Sequence, residues 1–458
     1  MRKIVIGGIL VITGIGFIYG FYYVWNALPI YTGYSAKIMC SCAFISGRDP
    51  QSVESQDLSS FGMATLQVNY LDSTVVSDVL GLGRRVAVFR DDLGCTLALG
   101  KSPETLKQEA EVIVKPDSRQ ANNYWPTGDN FAGGEFPDDL DEDALARVLD
   151  DAFEEQDLEN LQGTRAVVVV YQGKIVAERY AEGFDKDTPL VGWSMTKSVT
   201  NALVGILVQL NLLHLDDDHL FEEWSDDQDP RSKITLDQLL RMSSGLQWKE
   251  VYTGLSDATK MLFNSSSPSM LALNKPLKYQ PDSYWEYSSG TTNIISELVR
   301  RKIGGTNKQY WNFPHALLFN KLGMRSAVME PGPDGTFVGS SFMYATARDW
   351  ARLGLLYLYE GVWNGDRILP PGWVEYTQTP TPEAPRESYG AHFYRTKGEH
   401  GSGPDMPKDA YHMAGYEGQK VVIIPSYDLV IVRLGFSQPE SNWDFTEFVE
   451  GVVRSFPY

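Results

Sequence analysis

The chain is poor in cysteine and in positive charge, shows no internal repeat, and carries one long uncharged run. Three cysteines in 458 residues exclude a disulfide framework and a multi-cysteine zinc site. Forty Lys and Arg stand against 59 Asp and Glu, a net charge of −19. Phosphate contacts need clustered Lys and Arg, so this balance argues against a nucleic-acid partner. No EF-hand spacing accompanies the acidic run Asp138 to Asp143, which reads as a solvated loop and helix start and not as a calcium site. What is present is ordinary for a folded protein. With 43% hydrophobic and 22% charged residues the chain is neither disordered nor fibrous. At about 150 residues per domain its length allows roughly three units, and such a core needs no staple or metal. Twenty-four Tyr, 20 Phe and 11 Trp suit a protein with an apolar cleft.

The uncharged run extends from Ile4 to Trp25, behind Arg2 and Lys3. At 1.5 Å per residue it matches the thickness of a bilayer core. It exceeds the apolar region of a cleaved signal, and no A-x-A site follows it. Tyr22, Tyr23 and Trp25 sit at its far end, as interfacial aromatics do. The basic leading side predicts that end inside and the rest of the chain outside. Residues 1–25 are therefore expected to be a transmembrane signal anchor, with the folded part of the chain on the extracytoplasmic side of a bacterial inner membrane. A cleaved signal peptide is the alternative. A lipoprotein site at Cys40 or Cys42 is weaker, because Ile38-Met39 are not the small residues such sites favour. Export would place the cysteines in an oxidising compartment, where Cys95 can pair with Cys40 or Cys42 and leave one thiol.

Residues 26–120 read as a mixed accessory region, with Val86–Phe89 a strand entering a turn. Residues 121–143, rich in Asn, Gly, Pro and Asp, read as an exposed linker. From 144 to 458 the pattern predicts one larger domain. Ala166–Tyr171 and Lys174–Tyr180 around Gln172-Gly173 make a hairpin. Ser194–Leu213 is an apolar helix, buried on most sides. Val421–Ile424 and Leu429–Val432 return as late strands. Strands early and late, with helices between, predict an α+β fold: one antiparallel sheet built from both ends of the domain, flanked by helices.

Ser194-Met195-Thr196-Lys197 is the one S-x-x-K in the chain. It opens the apolar helix, so three residues bring Ser194 and Lys197 onto one face. The helix N-terminus favours negative charge developing near the serine oxygen. A lysine beside an apolar helix is desolvated, which lowers its pKa and lets a neutral amine accept the serine proton. Taken alone, the motif occurs by chance and reads equally as a cap and a surface lysine. Tyr287 and Ser289, in Glu286–Gly290 before another apolar helix, add a hydroxyl able to relay a proton once a neighbouring ammonium depresses its pKa. His412-Met413-Ala414-Gly415 enters the last strand pair. A glycine there allows close approach of strand backbone, whose N–H groups can complete an oxyanion hole with that of Ser194. His412 can donate to a substrate carboxylate or carbonyl.

The order S-x-x-K, Y-x-S, then H-x-x-G on a late strand resembles the serine β-lactamase and penicillin-recognising enzyme superfamily. Within it the chain is most similar to the class C-related serine hydrolases of the esterase and 6-aminohexanoate-dimer hydrolase type. The resemblance covers roughly residues 140–455. It implies a β-lactamase/transpeptidase-like fold with an all-helical subdomain, and no cofactor or metal. It implies an acyl-enzyme on Ser194, Lys197 as general base, Tyr287 as proton shuttle, and an oxyanion hole from Ser194 and a residue near Ala414–Tyr416. Ser289 replaces the Asn of many class C enzymes, and His412 stands near the position of the K-T-G lysine, with Gly415 one residue late. A histidine holds a β-lactam carboxylate less well than lysine does. Together these imply a small ester, amide or peptide-like substrate in preference to antibiotics. A class C-like β-lactamase, a D,D-peptidase and a slowly acylating penicillin-binding sensor are the alternatives. An α/β-hydrolase elbow is disfavoured because Thr196 breaks G-x-S-x-G. A metal site at Asp216–His219 is disfavoured because consecutive positions cannot all face one ion.

Overall fold

The computed structural model describes residues 2–110, 113–114, 122–130, 140–157, 160–396, 403–438, 441 and 443–457, with only the backbone of 2–15. The chain opens with a 43-residue helix, Arg2–Phe44 (α1). An antiparallel four-stranded meander follows: Thr65–Asn69 (β1), Thr74–Val79 (β2), Leu82–Arg90 (β3) and Gly94–Leu97 (β4). From Ile30 onward α1 is largely buried, packed on β2, β3 and β4. Before Ala27 it leaves the body of the protein: Phe17 is 78% exposed and Trp25 59%. Most of the expected membrane run lies in side chains outside the described residues. Among the described residues no helix is long and apolar enough to cross a membrane.

The larger domain begins with Glu142–Phe153 (α2), whose first turn Asp141 caps by accepting from the Ala144 N–H at 2.8 Å. Residues 121 and 131–139 of the expected linker lie outside the described residues. Thr164–Tyr171 (β5) and Lys174–Tyr180 (β6) form the hairpin. The helices Thr196–Gln209 (α3), Asp257–Asn264 (α4), Ser289–Ile303 (α5) and Ala347–Leu358 (α6) fill the middle of the chain. Tyr394–Arg395 (β7), Tyr411–Gly415 (β8), Gln419–Ile424 (β9) and Leu429–Gly435 (β10) come late, before Phe445–Arg454 (α7).

The main sheet runs β7-β8-β9-β10-β5-β6, every pair antiparallel. Late β10 pairs directly with early β5, Val430 opposite Val170 and Val432 opposite Val168. This is the both-ends sheet that the strand pattern predicts. It explains why β5 is buried at every position and apolar from Ala166 to Val170: both faces are covered. Val167 and Val169 pack with Leu145, Leu149 and Val452 of α2 and α7. Val168 and Val170 belong to the core on the other side, where α6 lies so close that a Cβ on Gly354 would meet Val430 and Val421.

Two buried links join α1 to the rest. Of the two cysteine pairings open on sequence, Cys40–Cys95 is the one formed, its Cα atoms 6.0 Å apart, fastening α1 to β4. Cys42 stays a thiol that burial pushes up to about 12. Beside the disulfide, Glu330 accepts from the Lys37 ammonium, from Ser41 Oγ at 2.8 Å and from the Cys95 N–H at 2.6 Å. Closing a loop of 55 residues constrains the unfolded chain by about 4 kcal/mol. Replacing both Cys40 and Cys95 with serine is expected to lower the unfolding free energy by roughly that amount, measured by urea titration. Unchanged stability would mean the bond adds nothing to the contacts around it.

Candidate active site

Ser194 stands in a single tight turn, Trp193–Met195, at the mouth of α3. Trp193 holds a left-handed φ of 46°, which a bulky side chain rarely adopts and which costs on the order of 1–3 kcal/mol. Two glycines make room for that turn. A Cβ on Gly192 would strike the Trp350 ring, and one on Gly415 would lie 2.1 Å from the Gly192 carbonyl oxygen. The end of β8 is thus seated against the backbone of the nucleophile turn.

Lys197 follows one turn later on α3, 1% exposed. Its Nζ donates to Ser194 Oγ, to Ser289 Oγ and to the Ser340 carbonyl, each at 3.0 Å. The Tyr287 ring lies under the same Nζ at 4.7 Å. Burial lowers the Lys197 pKa to about 8, although the charge of Glu250 pulls it upward. Ser194, Lys197, Tyr287 and Ser289 therefore converge. For Tyr287 one expectation is corrected: its hydroxyl pKa is raised, not depressed. Burial is the first cause, followed by Tyr394, Tyr389, Tyr252 and Glu250 around it.

His412 is also corrected. Side chains alternate across a strand, so residue 412 falls on the face of β8 opposite Tyr411 and Met413. There its ring packs against Phe445 of α7 at 4.8 Å and Tyr394 at 5.6 Å, and its Nε2 is 3.1 Å from Lys420 Nζ. It does not line the cavity in front of Ser194. Ala414 pairs with Lys420 in the sheet. Beyond Gly415 the chain does reach the cavity, through Tyr416 and Glu417. The acidic cluster at 216–219 lies at the surface, where His219 bonds Asp218 at 2.7 Å and Asp227 at 3.2 Å.

Three participants escaped sequence reasoning. Glu250 accepts from Ser289 Oγ at 2.5 Å, from the Ser289 N–H at 3.0 Å, and from Trp248 Nε1 and the Tyr252 hydroxyl. The Tyr252 hydroxyl lies 3.4 Å from Ser289 Oγ and also faces Ser194. His392 Nδ1 donates to the Lys197 carbonyl, 2.9 Å away, and burial beside Lys197 lowers the His392 pKa to about 3, so it is neutral. The signal for the first two was Trp248-Lys249-Glu250-Val251-Tyr252, a loop with no periodicity to place it.

The cavity has a volume of about 730 Å³. Its wall includes Ser194, Trp193 and Tyr252, and also Tyr31 and Tyr34 of α1. Glu417 lines it too, accepting from Trp193 Nε1 at 2.9 Å, with a carboxyl that burial raises to about 8. No Lys or Arg is among the described lining residues.

Comparison with known proteins gives the family and the fold. The Beta-lactamase family model matches residues 151–444. A 6-aminohexanoate-dimer hydrolase of Paenarthrobacter ureafaciens is 26% identical over 321 residues, covering 64% of this chain and 76% of that protein. A Bacillus anthracis structure of the 6-aminohexanoate-dimer hydrolase type superposes with a TM-score of 0.57 at 22% identity, over 76% of this chain and 90% of the other. EstCE1, a hydrolase with promiscuous acyltransferase activity, superposes with a TM-score of 0.51 at 15% identity, over 68% and 98%.

Proposed function

The chain belongs to the Beta-lactamase family of serine hydrolases, and from that premise we propose that it cleaves an ester or small amide through an acyl-enzyme on Ser194. The observation that carries this reading is the desolvated Lys197, 3.0 Å from Ser194 Oγ and lowered to about 8. Neutral Lys197 takes the Ser194 proton as Oγ attacks the carbonyl carbon. The oxyanion is held by the N–H of Ser194 and one from Ala414–Tyr416. As the tetrahedral intermediate collapses, the Tyr287 hydroxyl gives its proton to the leaving oxygen or nitrogen and regains one from the Lys197 ammonium. A protonated tyrosine suits that relay. Water then repeats the sequence and releases the acid. Glu250 anchors Ser289, which fixes the second side of the lysine.

The ester or amide reading is favoured over β-lactam hydrolysis by the cavity wall. A β-lactam carboxylate wants a cation, and none of the described lining residues supplies one. Membrane tethering by Ile4–Trp25, with the domain outside the cytoplasm, is part of the proposal. The exposed aromatics Phe17 to Trp25 support it, since a bilayer would cover them.

A base that must lose its proton sets the direction of the pH dependence. For a p-nitrophenyl ester, kcat/KM is expected to rise tenfold per pH unit below about 8 and then level off. A limb near 6.5, where an unperturbed histidine titrates, would contradict the role of Lys197. A panel of esters, D-amino-acid amides, 6-aminohexanoate oligomers and a chromogenic cephalosporin tests the substrate class. The cephalosporin is expected to turn over at least about 100-fold less efficiently than the best ester, and parity would restore the β-lactamase reading.

A further inference from the structure

We propose that the cavity before Ser194 accepts an amphiphile: an ester or amide carrying a long apolar chain, received along α1 from a lipid surface. The proposal rests on the acyl-enzyme reading and names its substrate class. Its first support is spacing. Ala27, Ile30, Tyr31 and Tyr34 all line the cavity, and intervals of three and four residues put them on one stripe of α1. The same helix runs on, two residues before Ala27, into the exposed aromatic segment ending at Trp25. From Tyr34 to Trp25 is about 14 Å of helix. An apolar surface therefore leads from the nucleophile's cavity to the part of α1 that stands outside the body.

The rim gives the second support. Gly254 lines the cavity, and a Cβ there would meet the Tyr23 hydroxyl oxygen. The loop that brings Tyr252 to Ser194 thus closes directly on the exposed half of α1. Both the cavity and the apolar segment share this edge. The chemistry of the wall is the third. Leu262 and Phe263 of α4 extend the wall from α1, the Phe263 ring 5.1 Å from that of Tyr34, and Phe61 stacks on Tyr34 at 4.4 Å. At the other end, Asp57 is neutralised by Arg165 at 2.8 Å and Arg48 at 2.6 Å. Trp193 covers Glu417. A charged substrate finds no free partner among these groups, whereas a hydrocarbon chain meets the apolar side chains of Ile30, Tyr34, Phe61, Leu262 and Phe263. A short polar acyl group would leave that wall in water, and each methylene buried against it strengthens binding about fourfold.

The test uses the full chain in phosphatidylcholine nanodiscs, with p-nitrophenyl acetate and p-nitrophenyl decanoate as probes. The decanoate-to-acetate ratio of kcat/KM is expected to exceed about 100, and to fall at least tenfold in Ala27→Trp, which fills the stripe. Comparing both proteins in the same nanodiscs cancels substrate partitioning. Binding of radiolabelled 1-decanol, an uncharged amphiphile, to the Ser194→Ala protein is read in parallel and needs no turnover. It is expected in that protein and lost when Ala27→Trp is added. Ser194-dependent acetate hydrolysis with a flat chain-length profile and no decanol binding overturns the chain site and leaves the acyl-enzyme reading intact. Decanol binding that Ala27→Trp abolishes, with no ester turned over, keeps the chain site and overturns the acyl-enzyme reading.

Discussion

Ser194→Ala is expected to lower kcat for a p-nitrophenyl ester by at least about 10⁴-fold while leaving the fold unchanged. The size follows from the role. Removing the Oγ removes the atom that forms the covalent bond, and Lys197 then has no proton to take. What remains is water attack assisted by the oxyanion N–H groups, which alone sustain only a small residual rate. The fold is insensitive because Ser194 is half-buried and its Oγ meets only polar groups of the site, Lys197 Nζ and the Tyr252 hydroxyl, among the described side chains. Thermal unfolding within a few degrees of the parent, together with the lost rate, separates chemistry from misfolding. Ester turnover equal to the parent's would remove Ser194 from the mechanism.

Glu330→Ala is expected to destabilise the protein by about 5 kcal/mol, the upper end for breaking a buried ion pair. Lys37 and Glu330 are 3% and 0% exposed. Loss of the carboxylate strands the Lys37 ammonium, whose pKa burial already lowers, and also orphans Ser41 Oγ and the Cys95 N–H. The Phe342 ring, 4.2 Å from Lys37 Nζ, offsets little of this. Pairing Glu330→Leu with Lys37→Met removes both charges together and is expected to recover most of the loss, since an apolar pair of similar size is tolerated in such a place. Urea denaturation of the three proteins checks the ranking. A single variant as stable as the parent would mean water reaches the pair.

The contrast between Ser194 and His412 shows what the chain discloses before folding. Ser194 and Lys197 are related by one helical turn, a local geometry readable from spacing once the apolar helix is seen. The same holds for β5 and β10, whose valine runs announce a strand covered on both faces. His412 depends on which side of a pleat it falls, and a slip of one residue reverses that. Tyr287 is close to Lys197 as the motif implies, yet its pKa is raised first by burial and then by Tyr394 and Tyr389, about 100 residues away in sequence. Glu250 and Tyr252 sit on a loop without period, so nothing local aims them at Ser289. The α1 wall of the cavity was hidden for another reason: residues from 26 onward read as a separate accessory region, and only tertiary packing turns Ala27 to Tyr34 toward Ser194.

Catalysis by Ser194 requires a covalent acyl intermediate. Rapid-quench intact-mass measurement of the protein with a p-nitrophenyl ester, followed by peptide mapping, is expected to show the acyl mass on the peptide containing Ser194. The adduct should appear in the same burst as one equivalent of p-nitrophenol and vanish in Ser194→Ala. A burst with the acyl group on another residue, or steady turnover with no adduct under conditions that slow deacylation, would contradict it.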